Sequence, residues 1–195
     1  ETESETVAKE AVRAIGAGLQ SGSIDWDHVN QFLKSIQDSE SEVLAREAVR
    51  AVGGGLQEQQ LQWGEAKEHL REALQADFGS VGVEAMRVAW IGIKYESIEF
   101  DVVKKFLETA RNADSVRIQT MAILGLGIAI KHQNIGWSEV KKPLQIARRS
   151  PSEKVAETAV RVVGVGLKEQ IFQWDDVRQF IEAAQQVEAD SVTKM

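Results

Sequence analysis

Few residues in this chain could do chemistry. His28, His69 and His132 are its three histidines, and it has no cysteine. A metal site built on imidazole needs ligands spaced to converge, and none of the three lies in an HExxH or comparable pattern. His28 falls on a variable polar side, and His132 falls in a turn. His69 stands where Phe32, Phe106 and Phe180 stand in equivalent segments, which points to packing rather than ligation. Without a thiol, a nucleophile would have to be a hydroxyl, amine or carboxylate beside a placed base, and no such grouping is visible. The pairs Gly16/Gly18, Gly53/Gly55, Gly125/Gly127 and Gly164/Gly166 spell Gly-x-Gly but lack a preceding strand, a third spaced glycine and a Gly-Lys-Ser/Thr. No catalytic residue, metal ligand or cofactor is expected, and the reading is of a protein that is not an enzyme.

Binding is better represented than catalysis. The 23 basic and 30 acidic residues give a net charge of −7, the wrong sign for general attraction to nucleic acid or an anionic membrane. The charge is uneven: residues 114–150 carry net +4, while the other segments of similar length run from −1 to −4. Arg117, Lys131, Lys141, Lys142, Arg148 and Arg149 supply that excess, with His132 beside them. The same segment has a turn read as two residues longer than the others, Lys131 to Gly136, and carries Pro143 where a second helix should run. These cations, His132 and the irregular Trp90 form the candidate binding set, suited to an acidic surface on another protein.

The elements that hold these residues follow from a repeat. AVRAIGAGL (Ala11 to Leu19) returns at Ala48 and Ala159, with weaker copies at Ala85 and Thr120, giving steps of 37, 37, 35 and 39. A second block follows each copy, opened by Trp26, Trp63, Phe100, Trp137 and Trp174. Val7, Ala8, Ala11, Val12, Ile15 and Leu19 keep helical i, i+3, i+4 spacing, and so do Trp26, Val29, Leu33 and Ile36. Ser39 to Glu42 and Ser150-Pro151-Ser152-Glu153 read as capping boxes, the latter with proline at the first helical position. The expectation is an all-α, right-handed α-solenoid of five two-helix repeats with a period of about 37 residues. It forms one domain, 1–195, with repeats at 1–39, 40–76, 77–113, 114–150 and 151–188 and a polar tail at 189–195.

Within that frame the second glycines, Gly18, Gly55, Gly92, Gly127 and Gly166, fall on the core side, where a missing side chain would let a neighbouring helix backbone approach. Trp26, Trp63, Trp137 and Trp174 share one position and read as core wedges. Trp90 replaces the first glycine of its pair, and either fills a groove or anchors a partner. Arg13, Arg50, Arg87 and Arg161 recur at one position and would stack as a ladder, paired with Glu10, Glu47, Glu84 and Glu157. Ala122 takes that place in the fourth unit, within an apolar run from Met121 to Ile130 that suggests burial on several sides or an apolar interaction surface.

A two-helix unit of this length, repeated five times, resembles the HEAT-like and armadillo-like α-solenoid superfamily. The likeness covers the chain but is one of architecture, since the Pro-Asp-Arg turn pattern and the tetratricopeptide signature are both missing. It implies a curved protein-binding scaffold whose second helices line the concave face, offering His28, Asn30, Gln31, Lys67, Lys104, Lys105, Lys141, Lys142 and Arg178. Two other functions fit the sequence: local binding of nucleic acid or a phosphorylated ligand by the fourth-repeat cations, and a HEAT-like lyase or cofactor chaperone. No apolar run reaches the roughly 20 residues of a membrane span. No targeting segment is visible, so the expected compartment is the cytoplasm.

Overall fold

A computed structural model describes residues 3–95 and 98–192, without the side chains of 185–192. Among the described residues the chain is all-helical, with ten helices packing neighbour to neighbour. They are α1 (Glu3–Ser21), α2 (Trp26–Gln37), α3 (Glu42–Gln57), α4 (Trp63–Gln75), α5 (Gly79–Lys94), α6 (Phe100–Arg111), α7 (Val116–Gln133), α8 (Trp137–Arg148), α9 (Glu153–Lys168) and α10 (Trp174–Val192). No helix among these residues is long and apolar enough to cross a membrane. The segment read as a tail is helical as far as Val192.

The odd-numbered helices form one row and pack closely on each other, α1 on α3, α3 on α5, α5 on α7 and α7 on α9. The even-numbered helices meet one another sparsely. Of the even helices, α2, α4, α6 and α8 each pack more extensively on the odd helix that follows than on the one before. The tightest two-helix unit is therefore even-then-odd, a phase different from the hairpins read from the sequence.

Local chemistry sets the helix ends. Ser41 caps α3 by accepting the Leu44 N–H, and Ser115 caps α7 by accepting that of Ile118. Neither cap is the serine expected, since Ser39 lies two residues before the cap of α3. Pro151 likewise lies outside α9, which starts at Glu153 after Ser152. Even helices begin with an aromatic residue, and α4, α8 and α10 also carry an acid at their third helical position. The Glu65 carboxylate accepts the Gln62 N–H at 2.7 Å, and that of Glu139 accepts the Gly136 N–H at 3.1 Å. Pro143 does not shorten α8, whose 12 residues match α2 and α6.

The glycines have two separate jobs. A Cβ on Gly16 would sit 3.1 Å from Ala51, and one on Gly53 would sit 2.7 Å from Val88, so the first glycine lets the next odd helix come close. The second glycine serves the turn instead. A Cβ on Gly18 would lie 2.3 Å from Ile24, one on Gly55 3.1 Å from Leu61, and one on Gly166 2.3 Å from the Phe172 ring. In each case the turn folds an apolar side chain back over the glycine, whose carbonyl accepts two turn N–H groups, as from Ile171 and Phe172 onto Gly166. The Gly92 carbonyl likewise accepts the Ile98 N–H. A neighbouring helix backbone is not what approaches these second glycines.

Contacts also correct the register of α7. Gly127 faces Val162 at 3.2 Å, as Gly53 faces Val88, which makes it a first glycine and not a second. The equivalent contacts therefore recur every 37 residues, with Ala122 buried like Ala48, Ala85 and Ala159. No residues are inserted in the turn after α7. Ala129 holds the second-glycine position there, where at Gly18, Gly55 and Gly166 a Cβ would crowd the folded-back side chain, so a methyl at this position argues against the same turn. Accordingly α7 runs 18 residues against 16 for α3, α5 and α9, and ends on a left-handed Asn134.

Candidate functional site

The arginine ladder exists over three odd helices. Glu47, 3% exposed, accepts from Arg13 at 3.2 Å and from Arg50 at 3.0 Å. Glu84, 6% exposed, accepts from Arg50 at 3.1 Å and from Arg87 at 2.9 Å. Burial alone would raise the Glu84 carboxyl, but hydrogen bonds from Arg87 and Arg50 and their charges outweigh it and hold the group below its ordinary value. Each carboxylate is thus shared by the arginine of its own helix and that of the helix before. Arg13, Gly16, Arg50, Gly54 and Gln57 line an open groove of about 300 Å³ along this row.

The ladder stops at α7. In the corrected register Leu124 takes the arginine position and Met121 the glutamate position. At α9 Arg161 returns, but its glutamate position is the buried Thr158, and Glu157 instead pairs with Lys154 at 3.0 Å. Met121, Leu124 and Ile128 are half-buried against the core, as is Trp90 on α5. Ile91 and Val165, also half-buried, occupy the Ile128 position on the flanking odd helices. One odd helix thus interrupts a charged row with an apolar stripe. Lys94, Lys131 and Lys168 follow one another along its edge, at one position of α5, α7 and α9.

Trp90 is committed to the α5–α7 contact. Its indole N–H donates to the Met121 carbonyl at 3.0 Å, and a Cβ on Gly125 would lie 3.1 Å from that nitrogen. The large ring and the small residue have exchanged sides relative to Gly53 and Val88. Gln133 adds a tie from the end of α7, donating to the carbonyls of Ile93 and Ile98.

The cations of residues 114–150 are not gathered into one site. Arg117 opens α7 while Lys131 and His132 close it, about 20 Å away at 1.5 Å per residue. Lys131 faces Glu169 at 3.9 Å. Lys141 and Lys142 are exposed on α8, in the even row. Arg148 lies over the Phe180 ring at 5.3 Å, and exposed Arg149 follows it. The cations therefore occupy both rows and both ends of the helices.

Rings tie the even row together. Trp26 meets His69 at 5.0 Å, Trp63 meets Phe106 at 5.4 Å and Trp137 meets Phe180 at 5.7 Å, all edge-on. Burial holds the His69 imidazole below its usual value, Lys34 adds to this, and Glu72 opposes it. Between α6 and α8 the pair is Phe100 and Pro143, which line a crevice of about 10 Å³, barely room for one water. Trp174 departs from the expected core role and is 53% exposed, because no following ring covers it. Among the described residues no group of three acidic or histidine side chains could hold a metal ion. The apolar run from Met121 to Ile130 signals the stripe in the sequence, but matching Gly125 to Gly53 puts Ala122 rather than Leu124 in the arginine column. The chain matches no family model, no curated protein and no solved structure.

Proposed function

We propose that this chain is a non-catalytic scaffold, a right-handed α-solenoid that docks an acidic, partly apolar segment of another protein on its odd-helix row. The odd helices lie closer together than the even ones, so the array bends toward the odd row and makes it the concave face. That reading moves the docking face from the second helices to the first. The observation that carries it is the break in the ladder. Every other exposed position of the odd row is polar, charged or small near the ladder, whereas α7 offers Leu124 and Ile128 beside Ile91 and Val165. Half-exposed apolar side chains ringed by cations suit a partner that combines an apolar face with carboxylates. Lys94, Lys131 and Lys168 on one edge and Arg87 and Arg161 on the other supply the cations, whose main effect is on orientation and encounter rate.

The test is to repair the ladder. Met121→Glu with Leu124→Arg installs at α7 the residues present at α3 and α5, which should keep the fold while removing the stripe. Peptides selected by display on the wild-type chain should mix acidic and apolar residues, and should bind the repaired chain at least tenfold more weakly, the loss of roughly 1.4 kcal/mol. Selected peptides lacking acidic residues, or binding both chains equally, would reject this function.

A further inference from the structure

One junction of the even row is built unlike the others. Between α4 and α6 an open groove of about 320 Å³ has Gly64, Val102 and the rims of Trp63 and Phe106 as its floor. Gly64 and Val102 both depart from what local helix chemistry favours. A Cβ on Gly64 would meet nothing within 4 Å among the described residues, so it gives up helix propensity with no close contact in return. Val102, 51% exposed, holds the third helical position of α6. At that position in α4, α8 and α10, Glu65, Glu139 and Asp176 each accept a backbone N–H at the start of the helix. The equivalent pair of positions is Asp27 and Glu65 between α2 and α4, and Asp101 and Glu139 between α6 and α8. Between α8 and α10 it is Ser138 and Asp176, so only the α4–α6 pair lacks a carboxylate altogether.

Charge follows the same departure. Lys67, Arg71 and Lys105 line the groove with Glu68 as its one acid. The matching positions between α2 and α4 hold Asp27, Glu65, Glu68 and Glu72 against Lys34. Glu68 is engaged by Arg71 at 2.6 Å, whereas Lys67 and Lys105 have no acidic partner among the described residues. Those two cations stand on facing helices, α4 and α6, above an apolar floor. Local rules broken with no packing return are the mark of a functional position. We propose that this groove binds a small aromatic anion, its flat body on the Gly64 backbone and Val102 and its charged group between Lys67 and Lys105. The volume lies at the lower end of small-molecule sites, the floor is ring rims and bare backbone, and the unengaged groups are cations. The site lies on the even row and does not depend on the apolar stripe of α7.

Isothermal titration calorimetry of the 195-residue chain with α-naphthyl phosphate tests this, with α-naphthol and inorganic phosphate as separate arms. The wild type should bind one α-naphthyl phosphate per chain, roughly tenfold or more tightly than either part alone. Gly64→Asp with Val102→Glu installs the pair found between α2 and α4. It should raise the urea midpoint while weakening binding by roughly tenfold or more. Lys67→Asn with Lys105→Glu, which copies Asn30 and Glu68 of that junction, changes only exposed side chains and should lose binding to the same extent. Met121→Glu with Leu124→Arg lies in the other row and should bind the probe as the wild type does. No preference for α-naphthyl phosphate over its parts, undiminished binding by either folded groove variant, or loss of binding in the ladder variant would overturn the proposal.

Discussion

The α3–α5 and α5–α7 contacts solve one packing problem with opposite choices of residue. In the first, a small residue on the earlier helix, Gly53, receives Val88. In the second, the earlier helix contributes Trp90 and the later one the small Gly125. The step between helices is kept in both, because what packing requires is that one side of each pair be small, not which side. The surface columns are freer. Glu84 is tied to arginines on two helices, while Met121 in the same column takes no part in ionic bonding and only lends its carbonyl to Trp90. Two contacts that are equal in register therefore differ in chemistry. That difference is where a site can arise without disturbing the fold.

The sharpest way to break the comparison is at the second-glycine column. Gly166→Ala sets a methyl about where the buried Phe172 ring already lies, 2.3 Å from the ideal Cβ. The overpacking should exceed the gain in helix propensity and cost about 2 kcal/mol. The reciprocal change, Ala129→Gly, relieves no clash in the α7 turn as it stands and should cost no more than about 1 kcal/mol. Urea unfolding of both variants checks this. Equal losses would mean that the methyl of Ala129 is not what reshapes the turn.

The ladder offers a pH-dependent version of the same contrast. The folded Glu84 carboxyl is held low, so the unfolded state binds its proton more readily. Its stabilisation is complete above the unfolded value, about 4.3, and is lost as pH falls through the lower folded value. Glu84→Gln should cost about 1–2 kcal/mol at pH 7, less than a fully buried pair because Arg50 and Arg87 are partly exposed. Urea midpoints of wild type and variant should then converge below about pH 4. Met121→Gln, in the same column on α7, should show no such convergence. A difference between wild type and Glu84→Gln that persists unchanged at pH 3 would place the effect in packing rather than charge.

The repeat was legible because the buried columns obey it in letters as well as in space: Ala48, Ala85 and Ala159 are each followed by an apolar residue and an arginine. The ladder was legible for the same reason, at Glu10, Glu47 and Glu84. What misled was glycine identity. Gly125 and Gly127 invite alignment with Gly53 and Gly55, yet packing assigns Gly127 to Gly53 and gives Ala129 the place of Gly55. That two-residue slip carries the arginine column from Leu124 to Ala122, so the apolar run is legible but the residue that breaks the ladder is not. It also converted a change of turn geometry into an apparent insertion. Charge sums were equally blind to direction, since Arg117, Lys131 and Lys142 count together in sequence but lie at different ends or in different rows. The exposure of Trp174 was beyond any local pattern, because its letters match those of the buried Trp63 and Trp137.

The turns allow the finest test of how α7 differs. The residue four past the second glycine is left-handed at Gly22, Gln59 and Gln170, with φ of 69°, 58° and 59°. Only the first is a glycine, so the two glutamines hold a conformation that costs an L-residue roughly 1 kcal/mol. Gln59→Gly and Gln170→Gly should each stabilise by about 0.5 kcal/mol, part of the strain relief being offset by the freer unfolded chain. After α7 the left-handed residue is Asn134, φ 52°, one place later than the column predicts. Asparagine tolerates that region better, so Asn134→Gly should gain less than either glutamine change, and Gln133→Gly should lose stability because Gln133 is still helical and donates to Ile93 and Ile98. Thermal melts of the four variants decide it. A gain for Gln133→Gly would mean that the turn after α7 follows the same geometry as the others, which would remove the role given to Ala129.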